Sequence, residues 1–376
     1  MFQKIKLFFY RLMRSMPMRK NNVLLFSYYG EHYSGSPKYI SQYLIQNSSL
    51  KIVWAFTKPE NYSICDSKKI KYNSFKFYYY LATSGSLVTN YRMPSFFEKR
   101  EKQKYIQTWH SSLRLKMIEK DAESTLPSNY VTMAKNDSKQ ISVLLAGSKK
   151  SKEIFEKAFW YDGRILNSGT PQCDLFFNNT DFYVKKVREF YKIDDDTKIA
   201  LYAPTFRKNN NLDIYDLDYD DLVKNLQNKF GGEWVILLRL HPHLIHADLN
   251  LDSNVTVNAT SYDDVQELLC AADILISDYS AIMFDYMCLK RPCFLYIPDY
   301  QNYISNDRKL YFDLDDLPFE TAETKEELNL KVYNFDFQSY NQKLNQFLDE
   351  IGSFDDGHAC ERVLKEIVSK NNFKEC

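Results

Sequence analysis

The segment from Ala271 to Tyr286 constrains the fold of this chain most strongly. A compact apolar run, Ile274 to Ile276, is flanked by polar residues and predicts a short buried strand. Ser280 as N-cap, with apolar residues on one face behind it, predicts a helix from about residue 280. A strand, a turn and a helix in this order present backbone N–H groups that can seat a phosphate. An ordinary strand–helix unit with Ser and Asp as caps accounts for these residues equally well.

The same alternation of strands and helices runs through the whole chain. Apolar runs predict strands at 23–26, 52–56, 87–89, 105–108, 143–146, 199–203, 234–240, 255–257, 274–276 and 293–297. Helices are predicted at 38–46, 72–82, 148–159, 218–228, 262–270, 340–351 and 360–368, with a charged helix or loop at 114–121. Strands alternating with helices favour parallel sheets. We expect an α/β chain of two Rossmann-like, doubly wound domains that face a central cleft.

A length of 376 residues is sufficient for two such domains. A polar connection at 178–196 separates the two runs of strands. The expected divisions are a basic amphipathic segment (1–20), a first Rossmann-like domain (21–180), a second one (197–335) and C-terminal helices (336–376).

The first thirty residues carry charge of one sign, because six Lys and Arg residues precede the first acid, Glu31. Phe-rich apolar residues lie between them, a pattern typical of a helix in the interface of an anionic membrane. A basic helix docked on its own domain is the alternative. No apolar run has the length of a membrane span, and the charges within this segment exclude a signal peptide.

The composition of the whole chain narrows the classes of partner. The formal net charge is zero, so the charge balance does not indicate a nucleic-acid-binding protein. The seven cysteines show no C-x-x-C pair, which argues against a zinc site or a disulfide scaffold and fits a reducing cytoplasm.

Polar clusters follow four of the predicted strands, at the position where open α/β sheets bind ligands. The first cluster contains His110, a candidate general base with an unperturbed pKa near neutrality; a structural His bonded to a carbonyl is the alternative. In the second, Pro204 ends the strand, and Thr205 and Arg207 turn outward. The guanidinium fork of Arg207 suits a phosphate, although a solvated loop Arg is equally consistent with the pattern.

The third cluster contains His241 and His243 on either side of a proline, which packing does not readily explain. Metal binding with His246 is a rival interpretation, but no adjacent carboxylate completes a ligand set, so no metal is predicted. The fourth cluster contains Ser277, Asp278 and Ser280. Together the clusters predict transfer of a phosphate-bearing group from a nucleotide-activated donor, and neither a P-loop nor a G-x-G-x-x-G motif is present.

These motifs, in this order and spacing, resemble the CDP-glycerol glycerophosphotransferase family, bacterial enzymes that prime and polymerise teichoic acids and related capsule polymers. The matching segments are Gln107–His110 with Lys116 and Asp121 downstream, Tyr202–Arg207, Arg239–His243, Ser277–Asp285 and, more weakly, Gly169–Asp174. The resemblance covers roughly residues 86–313.

The resemblance implies a GT-B-like fold, with the acceptor mostly on the first domain and the nucleotide donor mostly on the second. It implies that an acceptor hydroxyl attacks the β-phosphate of CDP-glycerol or CDP-ribitol and that CMP leaves. His110 would take the acceptor's proton, and His241 would stabilise charge on the donor phosphates. The implied donor-binding residues are Thr205, Arg207, His243, Ser277, Asp278 and Ser280, and those of the acceptor side are Ser111, Ser112, Lys116 and Asp121.

The resemblance further implies the partners and the location of the reaction. The acceptor would be a lipid-linked glycan or polymer, and the enzyme would work as a peripheral protein at the cytoplasmic face of the bacterial membrane. The nucleotide-activated polyol would be a substrate, so no cofactor is expected, and no nucleic acid is expected as a partner.

The chain departs from the family pattern at a few positions. Ser111 and Lys309 replace glycines, and Gln172 and Cys173 replace the expected Arg and Asn. Because Gly permits close backbone approach, these departures indicate an acceptor side that is differently shaped or impaired, with a changed donor or a decayed enzyme as alternatives. Two other functions fit the same fold: a GT-B glycosyltransferase that uses a nucleotide sugar, and a non-catalytic membrane-bound assembly subunit.

Overall fold

The computed structural model describes residues 2–205, 207, 213–215, 217–240, 253–306 and 309–369. The chain divides into two compact units. Unit 1 comprises Met1–Ser112, Ile118–Leu175 and Ser353–Cys376, and unit 2 comprises Leu113–Met117 and Phe176–Gly352. The segment predicted as C-terminal helices is therefore divided between the units.

Unit 1 contains a seven-stranded parallel sheet. Its strands are β1 (Arg19–Phe26), β2 (Lys51–Phe56), β3 (Ser67–Lys71), β4 (Ser84–Thr89), β5 (Lys104–Gln107), β6 (Val143–Ala146) and β7 (Arg164–Asn167). They are ordered β3-β2-β1-β4-β5-β6-β7, and in register Leu24 lies between Val53 and Leu87. The order reverses between β1 and β4, which is the point where doubly wound sheets bind ligands.

Unit 2 contains a six-stranded parallel sheet with the same winding. Its strands are β8 (Lys198–Tyr202), β9 (Trp234–Leu238), β10 (Thr256–Asn258), β11 (Ile274–Ser277), β12 (Cys293–Tyr296) and β13 (Glu320–Ala322). They are ordered β10-β9-β8-β11-β12-β13, so the order reverses between β8 and β11. Leu201 pairs with Leu275 across this reversal.

Helices connect the strands in both units. In chain order they are α1 (Phe2–Met13), α2 (Gly35–Asn47), α3 (Phe75–Thr83), α4 (Ser128–Ser138), α5 (Lys149–Ala158), α6 (Thr180–Tyr191), α7 (Tyr219–Phe230), α8 (Val265–Ala271), α9 (Ile282–Tyr286), α10 (Tyr300–Asn306), α11 (Lys325–Tyr333), α12 (Phe337–Ile351) and α13 (Ala359–Val368). Ser148 caps α5 as predicted, because its hydroxyl accepts a hydrogen bond from Ser151 N at 3.0 Å. No helix among the described residues combines the length and apolar character needed to span a bilayer.

The centre of each sheet is fully buried, which explains why its strands are continuous apolar runs rather than alternating ones. The side chains of Val23–Phe26 in β1 and Ile274–Ile276 in β11 are almost completely inaccessible to solvent. The predicted α/β fold with two Rossmann-like, doubly wound domains is confirmed, and every predicted strand overlaps an observed one.

One connection differs from its prediction, and for a second the structure decides between two predicted alternatives. The polar connection predicted at 178–196 contains α6, whose Val187 is buried and which packs against α8. Tyr183, Val184, Val187 and Tyr191 recur at helical spacing on its inner face, so the periodicity of this segment would have predicted the helix. The predicted charged helix or loop at 114–121 is an irregular segment followed by a short 3₁₀ helix, Glu119–Thr125.

Candidate functional site

Arg207 of unit 2 lies buried between two carboxylates. Its Nη1 donates to Asp278 Oδ2 at 2.7 Å, and its Nε and Nη2 donate to the two oxygens of Asp299 at 2.6 and 3.1 Å. Burial by itself would lower the pKa of Arg207, but the charge and hydrogen bonds of Asp278 and Asp299 raise it above its usual value. The guanidinium therefore stays charged and fixed in orientation.

Asp278 also organises the loop that follows β8. Its carboxylate accepts the Thr205 backbone N–H at 2.8 and 2.9 Å and the Thr205 hydroxyl at 2.6 Å. Because β8 and β11 are neighbours at the reversal of strand order, Thr205 and Asp278 meet where ligands of such sheets bind. Asp278 is thus a positioning residue for Thr205 and Arg207.

Two stacked tyrosines form an aromatic face beside Arg207. The rings of Tyr279 and Tyr303 have centroids 3.7 Å apart and an interplanar angle of 12°, and the guanidinium carbon lies 5.1 Å from each centroid. Lys116 Nζ donates to the Tyr303 hydroxyl at 2.9 Å. We call Lys116, Thr205, Arg207, Asp278, Tyr279, Asp299 and Tyr303 the Arg207 cluster.

The serines of the fourth motif lie at the end of β11. Ser277 is buried and donates to Ala203 O at 2.8 Å, which ties the end of β11 to the end of β8. The prediction of Ser280 as N-cap is wrong, since α9 begins at Ile282 with Ala281 at the N-cap position. Ser277 and Asp278 are turned toward the β8 loop, and helical geometry starts only after this turn. α9 runs directly into a 3₁₀ helix, Met287–Leu289, and the phosphate seat that the sequence predicts at its start stays a prediction.

His110 of unit 1 lies half-buried on the loop after β5. Gln107 shapes this loop, because its Oε1 accepts the Trp109 N–H at 2.9 Å and its Nε2 donates to Tyr91 O at 2.9 Å. Trp109 has a φ of 54°, a left-handed conformation that is uncommon for an aromatic residue. The His110 ring lies 4.4 Å from the Trp109 ring and 5.5 Å from the Tyr91 ring.

A buried ion-pair network packs against the Trp109 side of this loop. Arg92 pairs with Glu119 at 2.9 Å and with Asp137 at 3.1 Å, and its guanidinium lies 5.8 Å from the Trp109 ring. Burial raises the pKa of Asp137 to about 6, an effect that Arg92 offsets only in part. Arg92 lies three residues after the end of β4, but its part in this ion-pair network was not recognised from the sequence.

The predicted acceptor residues do not all belong to one unit. Ser111 and Ser112 are buried beside His110 in unit 1, where Ser112 O accepts the Ser151 hydroxyl at 2.5 Å. Asp121 lies exposed on the 3₁₀ helix of unit 1, whereas Lys116 belongs to unit 2 and the Arg207 cluster. His241 and His243 lie outside the described residues.

Gln172, which replaces the family's Arg, connects two elements of unit 1. Its Nε2 donates to His110 O at 3.5 Å, and its Oε1 accepts from Ser36 N at 3.2 Å near the start of α2. A neutral amide can both donate and accept, which an Arg in this place cannot.

The weak fifth motif, Gly169–Asp174, anchors α13 to unit 1. The Asp174 carboxylate accepts the N–H groups of Ala359 and Cys360 at 3.0 and 2.8 Å. Asp355 accepts the Thr170 N–H at 2.6 Å. The motif therefore caps a helix that lies far away in the sequence.

Several residues of these clusters were missed by sequence reasoning. Asp299 and Tyr303 follow β12, so the rule that locates ligands after strand ends would have found Asp299. Tyr279 lies inside the fourth motif, but from the sequence a tyrosine there is indistinguishable from an ordinary core residue. Arg92 lies three residues after the end of β4, so the same rule would have found it, whereas Asp137 lies within α4 and shows no local signal.

Comparison with known proteins gives consistent results. The family model described as CDP-Glycerol:Poly(glycerophosphate) glycerophosphotransferase matches residues 8–369. A teichoic acid poly(glycerol phosphate) polymerase of Staphylococcus epidermidis is 32% identical over 364 residues, and the alignment covers 92% of this chain but only 50% of that protein. The chain therefore spans about half the length of this relative. A teichoic acid poly(glycerol phosphate) polymerase of Bacillus spizizenii is 28% identical, with 96% of this chain and 95% of that protein covered.

The solved structures include a close match. A structure of the wall teichoic acid polymerase TagF has a TM-score of 0.85 and 31% sequence identity, and the match covers 97% of this chain and 93% of that chain.

Proposed function

We propose that this chain, which belongs to the CDP-glycerol:poly(glycerophosphate) glycerophosphotransferase family, transfers glycerol phosphate from CDP-glycerol to a hydroxyl of a teichoic-acid or capsular acceptor. The acceptor oxygen attacks the β-phosphorus, the bond from that phosphorus to the bridging oxygen breaks, and CMP leaves with the electron pair. CDP-ribitol is the second donor that this chemistry accommodates. The Arg207 cluster, a fixed cation at the ligand-binding edge of unit 2, is the observation that carries the proposal.

On the donor side, the cluster holds the Arg207 guanidinium and the Thr205 hydroxyl in place, and the charges of Lys116 and Arg207 are balanced by those of Asp278 and Asp299. Arg207 keeps its charge between Asp278 and Asp299, and Thr205 is held by Asp278 at the end of β8. Groups that are already oriented need no reorganisation when negative charge develops during the reaction. Ser277, Ser280, His241 and His243 complete the proposed donor side, and His241 is assigned to stabilising charge during transfer.

On the acceptor side, His110 is proposed as the general base. The loop geometry imposed by Gln107 and the rings of Trp109 and Tyr91 hold its imidazole in place. His110 Nδ1 or Nε2 takes the acceptor's proton as the new P–O bond forms. Ser111, Ser112, Lys116 and Asp121 are proposed to contact the acceptor. The donor is a substrate, and we assign neither a cofactor nor a metal.

The test is CMP release from CDP-glycerol and from CDP-ribitol by purified protein with bacterial membranes as the acceptor source. We expect release to fall by about 10²-fold or more in His110→Ala and in His241→Ala, the usual loss of acid–base or electrostatic catalysis. His358→Ala is the matched control, since His358 is exposed at the N-cap of α13. Consumption of UDP- or GDP-sugars instead of either CDP-polyol would support the glycosyltransferase alternative and overturn the proposal.

We further propose that α1 attaches the protein to the cytoplasmic face of an anionic membrane. Tyr10 docks α1 against α3, whereas Phe8 and Leu12 are 65% and 58% exposed and lie beside exposed Arg11. Apolar side chains next to basic ones suit the interface of an anionic bilayer.

Vesicle sedimentation tests this attachment. The double variant Phe8→Ser/Leu12→Ser is expected to weaken binding to phosphatidylglycerol vesicles by about tenfold or more, since two large apolar groups lose their burial. Phe182→Ser, an exposed Phe of α6, is the control. Equal binding by all three proteins, or equal binding to uncharged vesicles, would contradict the proposal.

A further inference from the structure

The side edge of the Arg207 guanidinium, formed by Nε and Nη2, is occupied by a carboxylate of the same chain. Asp299 accepts from Nε at 2.6 Å and from Nη2 at 3.1 Å, so its two oxygens face two neighbouring N–H groups. An arginine binds two oxygens of a phosphate in the same bidentate arrangement. Asp299 therefore takes the place on Arg207 that a phosphate of the donor would need.

The other end of this guanidinium is engaged as well. Nη1 donates to Asp278 at 2.7 Å and to Thr205 O at 2.6 Å. The Arg207 side chain is only 5% exposed, and the stacked rings of Tyr279 and Tyr303 lie against it. A phosphate can therefore bind Arg207 through two oxygens only after one of the carboxylates has left.

The two carboxylates differ in how firmly they are held. Asp278 is fully buried, and it accepts the backbone N–H and the hydroxyl of Thr205 in addition to the bond from Arg207. If Asp278 turned away from these donors, it would lose them without gaining water. The side chain of Asp299 is 19% exposed, so water can replace its bonds to Arg207 when it turns outward. Asp299 is therefore the partner that a phosphate can displace.

Asp299 and Tyr303 belong to one short segment that covers the guanidinium. Asp299 directly precedes α10, and its backbone oxygen accepts the Tyr303 N–H at 2.9 Å. The Tyr303 ring stacks on Tyr279, and its hydroxyl accepts from Lys116 Nζ at 2.9 Å. Because the carboxylate and the ring lie one helical turn apart, a movement of this segment shifts both. We call residues 298–303 the α10 lid.

The charges of the cluster favour displacement of Asp299 by a donor. The positive charges of Lys116 and Arg207 are balanced by the negative charges of Asp278 and Asp299. A pyrophosphate diester is negatively charged, and Asp299 would repel it at short range. With Asp299 turned into water, the cluster keeps one net positive charge for the phosphate. A ligand that binds the open arrangement more tightly than the closed one shifts the protein toward the open arrangement.

We propose that Asp299 is an internal substitute for a donor phosphate, and that the α10 lid keeps Arg207 covered until the donor displaces this carboxylate. The inference rests on the proposed function for the identity of the donor, and it assigns to Asp299 the control of donor binding. When the donor binds, the two hydrogen bonds from Arg207 to Asp299 are exchanged for two to phosphate oxygens, and Asp299 becomes hydrated. Asp299 returns to Arg207 when CMP leaves.

Calorimetric titration with inorganic pyrophosphate tests the lid without turnover. The neutral amide of Asp299→Asn holds the guanidinium less strongly, so we expect this variant to bind pyrophosphate about fivefold or more tightly than the unaltered protein. Asp278→Asn makes the same change of charge on the same guanidinium and is the matched control. It should bind pyrophosphate more weakly, because Thr205 and Arg207 lose the residue that positions them.

Tyr303→Ala separates the lid from a simple effect of charge. The change is neutral, but it removes a ring that covers Arg207 and the hydrogen bond to Lys116, so pyrophosphate should bind about threefold or more tightly. If charge alone mattered, both Asp→Asn variants would bind better and Tyr303→Ala would bind like the unaltered protein. That pattern would overturn the inference. Tyr303→Ala also keeps the test decisive if Asp278→Asn does not fold.

Two further results would overturn the inference: equal or weaker pyrophosphate binding by Asp299→Asn, or no pyrophosphate binding by any of the four proteins. The titration and the CMP assay fail independently. Tighter binding by Asp299→Asn and Tyr303→Ala without CMP release from either CDP-polyol would refute the proposed function alone. CMP release together with unchanged pyrophosphate binding by Asp299→Asn would refute the lid alone.

Discussion

Asp278 is fully buried, and one carboxylate serves both Thr205 and Arg207. A carboxylate without solvent keeps its charge only where donors surround it, so these contacts depend on one another. Asp299 pairs with the same guanidinium, but its side chain is 19% exposed. If this ion pair is broken, water can therefore replace part of the lost hydrogen bonding. The two aspartates are therefore not equivalent.

We predict that Asp278→Asn lowers the free energy of unfolding of unit 2 by about 3–5 kcal/mol, because it leaves a buried guanidinium with one partner fewer. Asp299→Asn should cost about 1–2 kcal/mol. Urea unfolding of both variants, compared with the unaltered protein, measures the difference. Equal costs would show that burial does not separate the two carboxylates.

Asp137 gives a prediction about pH. Its pKa is raised to about 6 by burial, against about 3.9 in an unfolded chain. The fold therefore favours the protonated form, and the resulting stabilisation is complete below pH 4 and is lost as the pH rises through 6. Between pH 7 and pH 5 the protein should gain about 1 kcal/mol of stability relative to Asp137→Asn.

The measurement is the unfolding midpoint of both proteins at pH 5 and pH 7. Other groups that titrate in this range are common to both proteins, so the difference between their pH dependences isolates Asp137. Parallel pH dependences would contradict the assignment.

At the scale of elements, the strands that the sequence did not predict are β3, β7 and β13. All three are edge strands. β3 has the sequence SKKIK, of which only Ile70 is buried. Edge strands often carry charged residues, which discourage pairing with other chains. Such strands therefore lack the continuous apolar run by which central strands are recognised. The central strands could be predicted because both of their faces are buried.

The motifs predicted which side chains lie at the carboxyl end of each sheet, but not which of those side chains contact one another. Thr205, Arg207, Ser277 and Asp278 were predicted as donor-binding residues, and the structure brings them together at the end of β8 and β11. That Asp278 would bond Thr205 and Arg207 could not be predicted, because the pairing depends on the neighbouring positions of two strands that are distant in sequence. The donor-binding roles remain predictions.

Asp174 gives a prediction for α13. Asp174→Ala removes the acceptor for two N–H groups at the start of this helix, which should cost about 1–2 kcal/mol. Hydrogen exchange of the amides at 359–368 should accelerate about 5- to 30-fold. Asp181→Ala, on exposed α6 of the other unit, is the control. Unchanged exchange in Asp174→Ala would show that α13 is held by its apolar face alone.

At the scale of the whole molecule, the predicted family is confirmed. The order and spacing of several short motifs made this prediction possible, although each motif alone is common. The predicted domain boundaries stay a prediction. In the structure each unit is built from separate segments of the chain, because 113–117 belongs to unit 2 and 353–376 belongs to unit 1.

We predict that CDP-glycerol, added without an acceptor, binds unit 2 and protects only the amides of that unit from hydrogen exchange. CDP-glycerol should slow hydrogen exchange in the segments containing Thr205 and Asp278 and leave the segments containing Tyr29 and Met93 unchanged. UDP-glucose at the same concentration is the control. Protection confined to unit 1 would contradict the assignment of the donor side.

The exchange of segments between the units has a consequence for biosynthesis. Unit 1 receives α13 only after Phe176–Gly352, the main body of unit 2, has been made. At 5–20 residues per second, the ribosome needs on the order of ten to forty seconds for that stretch. During this time the Asp174 carboxylate and the surface that α13 will cover wait without their helix. A nascent chain of this protein therefore presents a partly finished first unit to chaperones while its second unit is already being completed.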